Sequence, residues 1–514
     1  MLEELTASQW LARLEAREVS SVELTQACLD RIRSRDAEIG AFLSLQEASA
    51  LQQAAAIDQR RAAGNEVGAL AGLPVAIKDV LCTRGEPTTC GSKYLEHFKP
   101  PYDATVVRRL READAVLIGK TNMDEFAMGG SGENSGFRAT ANPWDTQRVP
   151  GGSSSGSAAC VAADMAPVAI GTDTGGSIRQ PSAFCGISGL KPTYGRVSRY
   201  GLVAFASSLD QAGPMARSAE DLARTLQVIA GHDAHDSTCS PAPVPDYLAA
   251  LREPLKGIRL GRVAQHFESG GDAETLAAAA AAIDELRRLG AEVVDIELPH
   301  SKYAIATYYV IAPCEASSNL SRYDGMHYGH RADEAEVRKL VREDLESASA
   351  SGASAGSATE KDKREMTLVQ TYCQSRSEGL GGEVKRRIML GTYALSEGYQ
   401  SKYYLKALQV RRLIRQDYEA AFASVDAIVG PVTPTPAFAI GEKTNDPLAM
   451  YLGDLFTVSA NLAGIPALST PCGLTSQQLP VGLHLQGPML GEARLLQIAH
   501  AYQQVTDWHT RRPR

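Results

Sequence analysis

Residues 150–157, PGGSSSGS, and residues 171–179, GTDTGGSIR, are two stretches rich in glycine and serine near the middle of the sequence. They belong to a longer region, residues 149–213, that is dense in both residue types. Apolar and aromatic residues such as Ile170 and Phe184 interrupt this region, which argues against a low-complexity linker. A glycine-rich tract without a repeat indicates backbone packed tightly around something. Taken singly, each stretch fits a plain tight turn or an anion-binding loop.

Short apolar runs and helical patterns surround these stretches. In the first half of the chain, apolar runs predict buried strands at residues 73–77, 115–118 and 167–170. In the second half, residues 257–263 and 291–296 predict two more strands, and residues 272–289 predict a helix between them that ends at Gly290. These elements form one right-handed βαβ unit. We therefore expect an α/β fold with a large mixed β-sheet core covered by helices on both sides.

We expect residues 1–514 to form a single domain with three parts. The predicted parts are a helical N-terminal part (residues 1–65), a core with both Gly/Ser stretches (residues 66–225), and the rest of the sheet and helices (residues 250–514). Around residues 345–362 the sequence is rich in Ser, Ala and Gly and lacks apolar anchors, so we predict a flexible insert there.

Composition and charge exclude several classes of protein. The 514 residues are 44% hydrophobic and 22% charged, which is the balance of a folded globular chain. The net charge of −8 argues against autonomous nucleic-acid binding, because phosphate backbones attract basic surfaces. No apolar run approaches the roughly 20 residues of a membrane helix, and the acidic N-terminus lacks the character of a signal peptide. We expect a cytoplasmic protein that makes no membrane contact.

Sequence motifs for metals and nucleotides are absent. The nine cysteines form no CxxC pair and the histidines form no HExxH, so no zinc spacing exists. No GxGxxG follows a predicted strand. Residues 114–121 nearly match a phosphate-binding P-loop, but Asp114 stands where the first glycine is required. We predict neither a metal site nor a cofactor in this chain.

Lys78 directly follows a predicted strand and is the residue that connects the Gly/Ser stretches to chemistry. By itself, such a lysine is either a snorkelling surface residue or a buried functional amine. A serine nucleophile needs a base, and no histidine lies within residues 149–213 to provide one. A neutral lysine can do so only if burial lowers its pKa by several units from about 10.4. Successive N–H groups of a Gly-Gly-Ser turn can then stabilise an oxyanion.

The two stretches and the position of Lys78 resemble the amidase signature family, and the resemblance covers almost the whole chain. Within that family the sequence resembles the branch formed by the A subunits of tRNA-dependent amidotransferases. The segments that carry this closer resemblance are residues 189–201, 206–211, 383–392, 450–454 and 461–466. Two features depart from it. Ser155 stands where a third glycine is common, and the insert near residues 345–362 is longer than expected.

The resemblance implies a Ser–cisSer–Lys triad. Ser177 is expected to be the nucleophile, Ser153 a relay serine on a cis peptide bond, and Lys78 the general base. The implied oxyanion donors are the backbone N–H groups of Thr174, Gly175, Gly176 and Ser177.

The resemblance also implies a pocket for free glutamine, which carries an α-carboxylate and an α-ammonium group. Arg387 and Asp454 match the positions expected to bind them, and an arginine fork suits a carboxylate. Tyr308 is a further predicted contact, although the adjacent Tyr309 is an alternative. Ser131 is expected to line the pocket near the triad.

The implied function is the glutaminase half-reaction of a larger enzyme. A B subunit would use ATP and Mg²⁺ to activate Glu or Asp on misacylated tRNA, a C subunit would stabilise the assembly, and tRNA would be contacted mainly through the partner. The alternatives are a stand-alone amidase for small amides and a non-catalytic binding subunit. The sequence leaves open whether Gln-tRNA, Asn-tRNA or both are made, and whether asparagine is a donor.

Overall fold

A single mixed β-sheet forms the centre of the computed structural model, which describes residues 4–268, 271–350 and 360–513. The strands are β1 Phe42–Leu45, β2 Pro74–Lys78, β3 Val116–Thr121, β4 Val168–Asp173, β5 Ser188–Lys191, β6 Gln211–Ala216, β7 Arg259–Val263, β8 Glu292–Ile296, β9 Ala427–Pro431, β10 Ala467–Leu474 and β11 Pro480–Gln486. Their order is β1-β3-β2-β4-β6-β5-β10-β11-β9-β7-β8. β2 is parallel to β3 and β4, and β7 is parallel to β8 and β9, whereas the remaining pairs are antiparallel.

Helices connect and cover these strands. They are α1 Ala7–Glu15, α2 Ser21–Ile39, α3 Glu47–Ala62, α4 Thr105–Glu112, α5 Ser155–Ala162, α6 Arg179–Cys185, α7 Ala219–Ile229, α8 Tyr247–Ala250, α9 Gln265–Glu268, α10 Ala273–Arg288, α11 Ala304–Asn319, α12 Glu334–Ala350, α13 Glu360–Gly379, α14 Gly382–Leu395, α15 Tyr404–Phe422, α16 Pro447–Tyr451, α17 Val458–Ala463 and α18 Glu492–Val505. Within the described ranges, no helix is both long enough and apolar enough to cross a membrane.

Alternate residues of the central strands enter two different hydrophobic cores. In β2, Val75 and Ile77 pack into one core, whereas Ala76 packs into the other. The first core contains side chains of α1, α4 and α7, and the second contains side chains of α2, α3 and α5. Because neighbouring side chains of a strand point to opposite faces, both faces of the sheet are covered by helices. This confirms the predicted α/β fold class.

Two segments differ from their predicted structure. The N-terminal part is helical except for β1, which pairs antiparallel with β3 at one edge of the sheet. α12 continues to Ala350 and α13 begins at Glu360, so the predicted flexible insert is helical at both ends. The abundance of Ala, Glu and Lys in these helices favours that conformation. Residues 351–359, the centre of the predicted insert, lie outside the described residues.

The topology brings the two Gly/Ser stretches to one edge of the sheet. β2 and β4 are parallel neighbours, so their carboxyl ends lie side by side. Lys78 is the last residue of β2, and the second stretch begins in the last three residues of β4 and continues beyond its end. The first stretch leads into α5, which packs against β4, and the second leads into α6. The sheet therefore places the candidate chemistry where ligands commonly bind in α/β proteins.

Candidate active site

Lys78 is the centre of a fully buried polar cluster. Its Nζ donates hydrogen bonds to Ser153 Oγ at 2.8 Å, Ser154 Oγ at 2.9 Å and Thr172 Oγ1 at 2.8 Å. Ser154 Oγ also donates to Thr172 O at 3.0 Å. The structure thus brings together Lys78 and Ser153 as the sequence predicted. It adds Ser154 and Thr172, which lie in the two stretches but were not predicted as site residues.

Burial lowers the pKa of Lys78 to about 7, although the carboxyl groups of Asp124, Asp173 and Asp210 oppose this shift. A lysine with that pKa is neutral in about half of the molecules at pH 7. Its lone pair can then accept a proton from Ser153, which lies within hydrogen-bonding distance. The amine therefore has both the position and the protonation equilibrium of a general base.

The loop that carries Ser153 is held by close backbone contacts. The Gly152–Ser153 peptide bond is cis, as expected, and Gly151 has φ +83°. A Cβ atom on Gly152 would lie 2.0 Å from Asp124 Oδ2, so only glycine fits there. Gly152 N donates to Gln180 Oε1 at 2.9 Å. Asp124 and Gln180 thus support this loop, although the sequence analysis did not predict them.

Ser155, which stands where a third glycine is common in the family, fits its surroundings. Ser155 is the first residue of α5 and lacks a positive φ, so its side chain causes no backbone strain. Its Oγ lies 3.2 Å from Thr140 Oγ1. A serine in place of glycine is therefore compatible with this loop.

Ser177 is the least buried member of the predicted triad. It is 8% exposed, whereas Lys78 and Ser153 are 0% exposed. Ser154 N donates to Ser177 O at 3.2 Å, which joins the two Gly/Ser stretches beside the cluster. Ser177 Oγ makes no hydrogen bond to Ser153 or to any other described residue. Catalytic hydrogen bonds often tighten only when substrate binds, so Ser177 remains our candidate nucleophile.

The predicted oxyanion loop offers three amides rather than four. Gly176 N already donates to Asp173 Oδ1 at 2.9 Å and is therefore not available to an oxyanion. The backbone N–H groups of Thr174, Gly175 and Ser177 make no hydrogen bond within the described residues. The sequence could not reveal this difference, because it depends on how the turn closes on Asp173.

Asp173 and Arg179 form a buried ion pair beneath this loop. Arg179 Nε and NH2 donate to the two carboxylate oxygens of Asp173, each at 3.0 Å. Asn461 Nδ2 donates to Asp173 Oδ1 at 2.8 Å. Although burial acts in the opposite direction, the charge of Arg179 holds the pKa of Asp173 below its ordinary value. A permanently ionised carboxylate therefore anchors the turn before Ser177.

The guanidinium group of Arg387 lies in an aromatic pocket. It is 4% exposed, and its Nε donates to Glu383 Oε1 at 2.8 Å. The guanidinium carbon lies 5.5–5.7 Å from the ring centroids of Phe205, Tyr309 and Tyr451, within range of cation–π attraction. Its NH1 and NH2 groups make no hydrogen bond within the described residues. They form a fork that suits a carboxylate.

Asp454 lies near Arg387 and contacts only one of the two neighbouring tyrosines within the described residues. Tyr309 Oη donates to Asp454 Oδ2 at 2.8 Å, and the Tyr309 ring stacks on Tyr451 at 3.8 Å. Burial raises the pKa of Asp454 to about 6. Tyr308 lies instead against the oxyanion loop, where a Cβ atom on Gly175 would be 2.6 Å from Tyr308 Oη. Both tyrosines therefore line the pocket, and Tyr309 is the one that contacts Asp454.

Ser131 is buried beside the loop that carries the relay serine. A Cβ atom on Gly152 would lie 2.9 Å from Ser131 N, and Ser131 Oγ accepts from Glu133 N at 3.3 Å. Gln180 Nε2 donates to Gly130 O at 2.8 Å, which links this segment to α6.

Among the residues that the structure describes, no group of three or more His, Cys, Asp or Glu side chains could hold a metal ion.

A buried lysine hydrogen-bonded to Ser153, a candidate nucleophile before α6 and a nearby turn of free amides are the groups that amide hydrolysis needs. Comparison with known proteins agrees, because the model of the Amidase family matches residues 23–496. The chain belongs to the amidase family and is an enzyme of that family.

Within the family, the chain is similar over its whole length to one component of an amidotransferase. It is 56% identical over 510 residues to the A subunit of glutamyl-tRNA(Gln) amidotransferase from Rhodopirellula baltica, covering 99% of this chain and 98% of that protein. The crystal structure of the corresponding A subunit from Thermotoga maritima is 38% identical, with a TM-score of 0.77 and coverage of 98% and 96%. A peptide amidase from Stenotrophomonas maltophilia is 34% identical, with a TM-score of 0.75 and coverage of 99% and 98%.

Proposed function

We propose that this chain is the glutaminase subunit of a tRNA-dependent amidotransferase. The observation that carries the proposal is that Arg387 and Asp454 both contact Tyr309. The adjacent Tyr308 packs against Gly175 in the turn before Ser177. Glutamine needs one fixed cation for its α-carboxylate and one fixed anion for its α-ammonium group, and the pocket offers both. The full-length similarity to A subunits supports the same function.

The proposed chemistry follows from the geometry of the cluster. Ser177 Oγ attacks the side-chain amide carbon of glutamine, and its proton passes through Ser153 Oγ to neutral Lys78. The carbonyl electrons move to oxygen, where free amides of the loop formed by Thr174, Gly175 and Ser177 stabilise the charge. The proton returns from Lys78 to the leaving nitrogen, and ammonia departs. Water then hydrolyses the glutamyl-enzyme by the same proton route and regenerates Ser177.

The proposed assembly assigns the remaining chemistry to partner subunits. Relatives named as A subunits imply a complex with other chains. In our proposal, a B subunit uses ATP and Mg²⁺ to activate Glu or Asp on tRNA, contacts most of the tRNA and consumes the ammonia. A C subunit stabilises the complex. We propose a cytoplasmic location for this role in aminoacyl-tRNA synthesis.

A stand-alone amidase is the second candidate function. The similarity to a peptide amidase favours it, because that TM-score of 0.75 nearly equals the 0.77 for the Thermotoga maritima protein. The overall fold therefore does not separate the two functions. We base our choice between them on the charged residues Arg387 and Asp454, since a site for apolar amides has no need of them.

Ammonia release from glutamine tests the proposed function. We expect the purified chain to be weakly active alone and strongly stimulated by B and C subunits, ATP and misacylated tRNA. Ser177→Ala in the same assembly should show no release above background. Strong activity of the chain alone on varied amides, unchanged by partners, would instead establish a stand-alone amidase.

The rate should depend on pH through the two shifted groups. We expect kcat/KM for glutamine to rise with pH and level off above about pH 7. Below that pH the neutral fraction of Lys78 falls about tenfold per pH unit, because its folded-state pKa is about 7. Protonation of Asp454, whose pKa is about 6, removes the anion for the α-ammonium group and steepens the fall below pH 6.

A neutral primary amide without an α-ammonium group is the control for this profile. It should show only the decline that belongs to Lys78, because its binding does not need ionised Asp454. A glutamine profile that stays flat between about pH 5.5 and 8 would contradict the assignment of Lys78 as the base.

A further inference from the structure

Thr457 joins the loop that carries Asp454 to the loop that precedes Ser177. Its hydroxyl lies within hydrogen-bonding distance of two acceptors, Gly175 O at 2.6 Å and Asp454 O at 3.1 Å. Its backbone N–H donates to Asp454 O at 3.0 Å, and its carbonyl accepts from Arg179 NH1 at 3.0 Å. Thr457 is fully buried. Because these hydrogen bonds hold the two loops, Thr457 can influence the reaction through the positions of those loops.

The peptide group between Gly175 and Gly176 is fixed at both ends. Its carbonyl accepts from Thr457 Oγ1 at 2.6 Å, and its N–H donates to Asp173 Oδ1 at 2.9 Å. Because a peptide group is planar, these two bonds set the orientation of its plane. The free amides of Gly175 and Ser177 belong to the peptide groups immediately before and immediately after this one. Their directions therefore depend on the peptide that Thr457 and Asp173 hold.

Close packing leaves little freedom at this contact. Gly176 has φ +142°, and a Cβ atom on it would lie 2.5 Å from Thr457 Oγ1. The threonine side chain therefore packs directly on the backbone of the turn. Asp173, the other anchor of the peptide, is fixed by its ion pair with Arg179. Removing the Thr457 hydroxyl would release only the carbonyl end of the peptide.

We propose that Thr457 is a positioning residue that orients the oxyanion donors of Gly175 and Ser177. This inference rests on the proposed function in that the loop before Ser177 is taken to bind the oxyanion. A loss of orientation affects the transition state, where charge develops on the carbonyl oxygen, more than it affects bound substrate. A residue that merely held the Asp454 loop would instead change substrate binding. The ratio of kcat to KM effects separates the two roles.

Substitutions at Thr457 test this proposal in the full chain assembled with its partner subunits. Thr457→Val keeps the shape and removes the hydroxyl, whereas Thr457→Ser keeps the hydroxyl. We expect Thr457→Val to lower kcat for glutamine hydrolysis by about 10- to 100-fold with KM changed less than about threefold. Thr457→Ser should retain kcat within about threefold. If Thr457→Val is poorly folded, Thr457→Ala removes the same hydroxyl and carries the same expectation.

Two results would overturn the proposal. One is an unchanged kcat in the folded variant without the hydroxyl. The other is a raised KM at unchanged kcat, which would mean that Thr457 only holds the Asp454 loop. A neutral primary amide is assayed in parallel. If the wild-type enzyme hydrolyses that amide but not glutamine, the proposed function fails, and the kcat comparison on the amide still decides the role of Thr457.

Discussion

Lys78→Met is expected to lower kcat for amide hydrolysis by about 1000-fold or more without unfolding the protein. Methionine has a similar length but cannot accept the proton that we propose Ser177 loses through Ser153. General bases contribute about 10²–10⁴-fold to rate, and members of a triad act as a unit. Lys78→Arg should lose as much activity, because a guanidinium stays protonated at neutral pH. Steady-state ammonia release with matched enzyme concentrations measures both losses.

Stability and a second buried lysine provide the controls for Lys78. Ser154 and Thr172 remain hydrogen-bonded to each other without the amine, so thermal unfolding should show only a modest change in stability. Lys191 is also buried, and burial lowers its pKa to about 7, but its Nζ donates to the backbone oxygen of Pro192. Lys191→Met should therefore keep most of the activity. Near-normal turnover of Lys78→Met would exclude the amine as the base.

The elements that could be predicted from the sequence are those with a strong local pattern. β2 and β4 are buried on both faces, so each is a short continuous apolar run that predicts a strand. Lys78 and the two Gly/Ser stretches were likewise found from local residues and their spacing. The helix α10 lies between β7 and β8 as predicted, because its ends carry a cap residue and a glycine.

Other strands carry patterns that argue against a strand. β6 lies between β4 and β5 in the sheet, yet it contains Gly213 and Pro214. Proline lacks the N–H that a central strand uses, so a sequence reader would assign such a segment to a loop. β1 has only four residues and is recognisable only through its pairing with β3. The order of strands in the sheet depends on such pairings between distant segments, so no local sequence pattern predicts it.

The same limit applies to the candidate site. The residues that bind Lys78 lie inside the two stretches, and their proximity follows from the parallel pairing of β2 and β4. By contrast, Tyr309 contacts Asp454 across 145 positions, and Thr457 contacts Gly175 across 282 positions. No spacing rule connects residues so far apart. The family resemblance predicts Arg387 and Asp454 as substrate-binding residues. Only the folded chain shows that Tyr309 rather than Tyr308 contacts Asp454.

Arg387 and Arg386 form a matched pair for testing substrate recognition. Both donate to Glu383, but the side chain of Arg387 is 5% exposed inside the pocket whereas that of Arg386 is 45% exposed at the surface. The two substitutions therefore remove the same charge from adjacent positions of α14. Only one of them removes the fork that faces the predicted glutamine carboxylate. Differences between the variants report on recognition rather than on net charge or helix stability.

Arg387→Ala is expected to lower kcat/KM for glutamine by about 100-fold or more, because losing one partner of a buried charge pair costs about 2–5 kcal/mol. Arg387→Lys should be intermediate, since an ammonium group keeps the charge but lacks the bidentate geometry. Arg386→Ala should remain close to wild type. A neutral primary amide should react equally well with all three variants, because it has no carboxylate to bind. Equal losses of kcat/KM on glutamine and on the neutral amide would mean that Arg387 supports the structure of the pocket and does not bind the α-carboxylate.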